Sequence, residues 1–209
     1  MSTKYEMPAV RSHLLEVVRD AYPEDFEGVT PTKLYGEKVF AGPTPHPNEV
    51  LNLFLQQELT SFLPIAYYMT ARKGLNSLMD KRLPQSATLS PEVLQSAIGG
   101  FIALRELELS EIHRLVLGLV TSNPCSSTSC PSRRTKGSSV SGVHQSVIER
   151  ITASSRSEMK VLEVHSLGRI YGNDSDGFCE VCVNEWDTGH AEVRRRAWNM
   201  LSKVFGLKH

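Results

Sequence analysis

Residues 90–121 read SPEVLQSAIGGFIALRELELSEIHRLVLGLVT, and this stretch decides the fold class. Ser90 suits an N-cap and Glu92 puts an anion in the first turn; Pro91 suits the first helical position, where its missing N–H would be unpaired anyway. Behind that start, Leu94, Ile98, Phe101, Ile102, Leu109, Ile112, Val116, Leu119 and Val120 recur at helical spacing, predicting the buried face of a helix that ends near Thr121. Roughly thirty residues at about 1.5 Å each give a rod of about 45 Å, the longest element expected. Gly99-Gly100 predicts either a bend or the close approach of a neighbour.

On the N-terminal side, PNEVLNLFLQQ (47–57) and SFLPIAYYMTAR (61–72) predict two successive helices, with Pro64 in the first turn of the second. A short segment, 75–79, precedes the loop to Ser90. Earlier still, Val10, Leu14, Val17, Val18 and Ala21 form a stripe opposite Arg11, Glu16, Arg19 and Asp20, a helix bounded by Pro8 and Pro23. Residues 22–47 hold five prolines and three glycines and read as an extended connector rather than core.

On the C-terminal side the composition changes. Residues 121–142 contain eight serines, two prolines and almost nothing apolar. A helix is expected from near Val140 through Val143, Val147, Ile148 and Ile151, and 172–177 (GNDSDG) is a turn-rich loop. A final helix over 181–205 carries the stripe Trp186, His190, Val193, Ala197, Met200, Leu201, Val204, with Gly206 placed to close it and Leu207 to pack beside it. The expectation is a mainly α chain, an irregular helical domain with a zinc-clamped cysteine-rich C-terminal part. It divides into 1–43 (N-terminal helix and connector), 44–121 (helical domain) and 122–209 (cysteine-rich loop plus helices).

The cysteines give the sharpest chemical signal. None lies in the first 124 residues; then come Cys125-x4-Cys130 and Cys179-x2-Cys182. Pairs at such spacing supply two thiolates from one turn, and two pairs close a tetrahedral Zn2+ site. One structural zinc on Cys125, Cys130, Cys179 and Cys182 would tie the serine-rich loop, which has no apolar means of ordering itself, to the start of the last helix. A mixed site with His190 replacing one cysteine is the variant, although a half-buried histidine explains His190 more simply. Buried packing cysteines would account for the second pair but not for two thiols in a polar loop. A redox CxxC would adjoin a βαβ pattern, which is missing here.

Other chemistry is thin. The chain has no HExxH, no GxxxxGK[ST], no GxGxxG and no GxSxG. Asp174, Asp176 and Gly177 resemble part of a calcium loop, but that register puts Gly172 first and Val183 twelfth, which rules out an EF-hand. Glu106, Glu108, Glu111 and His113 read as a solvated charged face. With 209 residues, 40% hydrophobic, and 23 basic against 23 acidic side chains, the net charge is zero. That argues against a nucleic-acid binder relying on bulk charge, leaving Arg133, Arg134, Lys136 and Arg194 to Arg196 as a local basic alternative. The apolar run from Leu115 to Val120 falls far short of the roughly 20 residues of a bilayer span, and the N-terminus has no signal-peptide core. The chain is expected to be intracellular, in cytoplasm or nucleus, and not membrane-bound.

Several stretches together resemble a group of fungal proteins, common in basidiomycetes, that carry an N-terminal BTB/POZ domain. They are Lys4-Tyr-x-Met-Pro-Ala-Val-Arg11, Ser61-Phe-Leu-Pro-Ile-Ala-Tyr-Tyr68, Leu89-Ser-Pro-Glu-Val-Leu94, the Cys125/Cys130 pair, Phe178-Cys-Glu-Val-Cys182 and Ala197-Trp-Asn-Met-Leu-Ser-Lys-Val-Phe-Gly-Leu207. The resemblance covers most of the chain through loose motifs. It implies that the helix over 4–21 follows a BTB core which this chain lacks, and that the rest is the helical C-terminal region with its cysteine-rich end. BTB cores mediate dimerisation and recruit partners, but the residues for that are absent here. The expectation is therefore a non-enzymatic protein–protein interaction module with one structural zinc and an unidentified protein partner. A zinc-containing nucleic-acid-binding or transcription-related protein is the alternative. A zinc enzyme would need an open ligand position, which four thiolates remove.

Overall fold

A computed structural model describes residues 8–29, 45–80, 82–121, 161–162 and 180–207. Six α-helices follow one another among them: α1 (Pro8–Ala21), α2 (Pro47–Gln56), α3 (Leu63–Ala71), α4 (Leu75–Leu78), α5 (Pro91–Thr121) and α6 (Glu180–Val204). No strand occurs among the described residues, so the mainly α expectation holds. The expected helix over residues 140–151 lies outside them.

Local chemistry explains several helix ends. His46 caps α2: its Nδ1 accepts the Asn48 N–H, and the Glu49 carboxylate reaches back to the His46 N–H at 3.1 Å. This is the reciprocal arrangement of a capping box, with histidine in the usual serine or threonine role. Ser90 caps α5 as expected, its Oγ accepting the Val93 N–H at 3.4 Å. At the other end of α6, Gly206 has φ 68°, its N–H bonds Lys203 O at 3.1 Å, and Leu207 N–H bonds Ser202 O at 2.8 Å. Those two bonds form a Schellman motif, and Leu207 packs against the core as the motif requires.

α3 is the central helix. Leu63, Ile65, Ala66, Tyr67, Tyr68, Thr70 and Ala71 are all buried, so it is covered all round rather than on one stripe. α2 packs on one side of it, α5 and α6 on others. The side-chain amides of Asn48 and Asn52 fasten the turn over Gln85–Ala87 to α2, donating to Ala87 O at 3.0 Å and to Ser86 O and Thr88 O at 2.9 Å.

α5 and α6 run antiparallel. Gly100 faces Phe205, Glu111 pairs with Arg196 at 2.7 Å, and Gly189 faces Leu115, so positions rising along α5 meet positions falling along α6. The glycines of α5 divide the work. Gly100 lets the Phe205 ring lie against the backbone, while Gly99 faces open space.

Two expectations need correction. On α5, Ile112 is buried as expected, but Ile102 and Leu109 are exposed, and the core instead takes Ala97 and Leu104, with Glu108 among them. The side chains of Val116, Leu119 and Val120 lie outside the described residues. Because α5 meets α3 and α4 as well as α6, it buries more than one stripe, and a single apolar arc assigned the wrong edges. Residues 22–29, read from composition as connector, contribute Tyr22 and Val29 to the core. The Tyr22 ring meets Phe54 edge-on at 5.2 Å, a favoured aromatic geometry.

Candidate metal centre

The first turn of α6 carries Cys182, the third residue of the helix after Glu180 and Val181. Backbone N–H groups at a helix start have no partner within the helix and lower the energy of a thiolate nearby. Cys182 is buried, and so are Trp186 and His190, one and two turns further on. The Trp186 and His190 rings lie nearly parallel, 13° apart in plane with centroids 6.1 Å apart. The inner face of α6 thus presents thiol, indole and imidazole in one row.

That row limits how His190 could serve a metal. Eight residues of helix separate Cys182 from His190 by about 12 Å along the axis, whereas Zn–S and Zn–N bonds are about 2.3 and 2.0–2.1 Å. At that separation Cys182 and His190 do not ligate one metal together, so in a mixed site His190 would stand in place of Cys182. His190 is a buried histidine packed on tryptophan, more deeply buried than the half-buried histidine expected. Cys125, Cys130 and Cys179 lie outside the described residues, as do Arg133, Arg134, Lys136, Asp174 and Asp176. Among the described residues, no group of three or more His, Cys, Asp or Glu could hold a metal ion.

The acidic residues of α5 do not form one solvated face. Glu106 and His113 are exposed, but Glu108 is buried and pairs with Arg105 at 2.6 Å. Glu111 bridges Arg114 at 2.8 Å and Arg196 at 2.7 Å. They point in different directions, and two of the four serve packing between or along helices.

Sequence reasoning did not find what the arginine triplet does. Arg194 Nε donates to Leu162 O at 2.8 Å and its Nη2 to Val29 O at 3.4 Å, while its guanidinium lies 5.2 Å over the Phe26 ring. Burial lowers the Arg194 pKa, against a smaller opposing effect from Tyr68. Arg195 also covers Phe26, at 5.1 Å, and pairs with Glu27 at 3.2 Å. Leu162 is held from its other side, its N–H donating to the Tyr68 hydroxyl at 3.4 Å. These partners are 94, 32 and 165 residues apart in sequence, so no local pattern announces them.

A second feature without a sequence signal is a cleft of about 410 Å³ between the segment after α1, the start of α3 and the end of α6. Ile65, Trp198 and Leu207 contribute apolar lining, and Glu24, Thr60, Ser61 and Ser202 supply polar groups. The Ser61 hydroxyl donates to Glu24 Oε1 at 2.7 Å and Arg19 Nε to Oε2 at 3.0 Å. The Ser61 bond, with Arg19 beside it, holds the Glu24 carboxyl below the usual carboxylate range. No helix among the described residues is long and apolar enough to cross a membrane. Comparison with known proteins finds no matching family model, no matching curated protein and no matching solved structure.

Proposed function

We propose that this chain is a non-enzymatic protein–protein interaction module acting inside the cell. Its last third is held by one structural zinc on Cys125, Cys130, Cys179 and Cys182, and it corresponds to the helical region that follows the BTB core in the fungal proteins it resembles. The observation that carries the zinc reading is the position of Cys182. It is buried in the first turn of a long helix, and Cys179 immediately precedes that helix in sequence. A CxxC pair at a helix start offers two thiolates near backbone N–H groups that have no acceptor within the helix, and a bound cation offsets the cost of burying them.

The chemistry of the donors suits a closed site. Four thiolates around Zn2+ fill the tetrahedron and leave no position for substrate or water, which fits a structural clamp and opposes a catalytic role. The serine-rich loop would then gain its order from the metal, as small metal-dependent domains do. The nucleic-acid reading draws less support, since each of Arg194, Arg195 and Arg196 already makes an intramolecular contact.

Elemental analysis and X-ray absorption at the zinc edge test this on protein purified without chelator. One zinc per chain with four sulfur neighbours is the expected result. A folded, metal-free protein with four titratable thiols would overturn the zinc reading.

A further inference from the structure

We infer that Tyr68 and Arg194 form a docking site for a pair of adjacent aliphatic residues, and that the chain's own Val161-Leu162 fills it as a strap that opens without unfolding the helices. The occupant is in place. Val161 and Leu162 are both buried, and side chains read both backbone groups of Leu162: its N–H donates to the Tyr68 hydroxyl at 3.4 Å and its carbonyl accepts from Arg194 Nε at 2.8 Å. These clamps lie 94 and 32 residues away in sequence, so they engage Leu162 only when the segment docks. None of the four residues is a proposed zinc ligand, and the site stands apart from the zinc reading.

The receiving side has supports other than the strap. Tyr68 is fully buried on the central helix α3, and Arg194 is held by the Val29 carbonyl at 3.4 Å and by the Phe26 ring 5.2 Å from its guanidinium. Both groups therefore keep their places when Leu162 leaves, and groups fixed in advance cost little to engage. Departure would take an acceptor from a guanidinium whose charge burial already disfavours, and would wet the apolar space that Val161 and Leu162 fill. The vacated site thus calls for the chemistry that left: a peptide N–H and C=O carried with two aliphatic side chains. Two side chains and two hydrogen bonds are a small contact, of the kind that opens locally rather than with a whole core. While Val161-Leu162 occupies the site, it shuts out any partner segment bearing such a pair, so the contact is autoinhibitory.

Native-state hydrogen exchange on the full chain tests the strap. The Leu162 amide should be protected, yet exchange about tenfold or more faster than the amides of Tyr68 and Ala71 in α3. Tyr68→Phe should speed exchange at Leu162 more than within α3. Equal rates at Leu162 and in α3, or an unprotected Leu162, would overturn the strap. The site itself is tested on a full chain carrying Val161→Gly and Leu162→Gly, probed with the blocked peptide acetyl-Met-Lys-Val-Leu-Glu-Val-amide, which copies residues 159–164. This variant should bind the peptide about tenfold or more tightly than the wild type, whose site is open only a small fraction of the time. A peptide with Ser-Ser in place of Val-Leu should not bind. Equal binding by variant and wild type, or of the two peptides, would overturn the site. Loss of the helical melting transition in the glycine variant would show that Val161-Leu162 is core rather than strap, and overturns the inference as well. Zinc content measured on the same samples reports on the zinc reading separately, since no expected result here depends on the metal.

Discussion

The ring of Phe205 occupies the space that a side chain at Gly100 would need. A Cβ built on Gly100 falls within contact distance of three ring carbons, and the same ring stacks on Tyr67 with centroids 5.1 Å apart. Phe205 therefore closes the antiparallel pairing of α5 and α6 and ties that pair to α3. Gly100→Ala must displace a ring that is held on its other face, so it should destabilise the fold by about 1–3 kcal/mol. Gly99→Ala is the control: its Cβ meets nothing among the described residues, and it should stabilise α5 by up to about 1 kcal/mol through helix propensity. Thermal melts of the two variants should move in opposite directions, by about 2–4 °C per kcal/mol in a chain of this size.

Two helices end alike but with different residues. At the end of α2, Leu59 N–H bonds Phe54 O at 2.9 Å and Glu58 N–H bonds Leu55 O at 3.4 Å, with Glu58 at φ 54°. This matches the Schellman ending of α6, where Gly206 holds the left-handed position. A residue with a Cβ costs about 1–2 kcal/mol there. Gly206→Ala should destabilise by about 1 kcal/mol, while Glu58→Gly should stabilise by somewhat less, because glycine also loosens the unfolded chain. Urea unfolding of both variants checks the pair; a destabilised Glu58→Gly would mean that the Glu58 side chain makes a contact worth more than the strain.

Much of this fold was legible because its punctuation is local. Ser90-Pro91 starts α5, Pro8 starts α1, and Gly206 ends α6, each where a single backbone group needs that residue. The stripe Trp186, His190, Val193, Ala197 and Leu201 was legible too, since α6 buries one face and keeps the period clean. α5 was not, because leucines and isoleucines lie on several of its sides and small Ala97 and charged Glu108 carry part of the interior. Nor could spacing show that Val29, Leu162 and Tyr68 meet at Arg194, since chain distance rather than periodicity separates them. Of the proposed four-cysteine site, the sequence offers the candidate ligands, and the described residues place Cys182 alone.

Glu108 and Arg105 form the least exposed ion pair among the described residues, with side chains 1% and 18% exposed. Removing one partner leaves the other charge with little water, so Glu108→Ala should cost about 3 kcal/mol, the lower end for a buried pair because Arg105 retains some solvent. Replacing both residues by leucine should cost far less than the sum of the single changes. A double-mutant cycle in urea measures this, and additive losses would show that the pair contributes no coupling.

Asp80 supplies the pH signature of the fold. Its Oδ1 accepts the Arg82 N–H and Nε–H at 2.9 Å, and Arg82 Nη2 reaches Oδ2 at 2.8 Å. The Arg82 side chain first, then the backbone bond, lowers its pKa from the ordinary aspartate value to about 2. A carboxyl whose folded pKa is depressed binds protons more weakly when folded than when unfolded. Its contribution to stability is thus fully present above about pH 4 and is lost as pH falls through 2. Because the Arg82 side chain is 90% exposed and water reaches the partly covered Asp80, the effect on global stability should be small and should shrink further in salt. The direct measurement is the Asp80 carboxyl carbon shift followed by NMR from pH 5 downward. A midpoint near 2 is expected, and Arg82→Ala should return it towards 4. A midpoint near 4 in both proteins would mean that the Arg82 fork does not persist in solution.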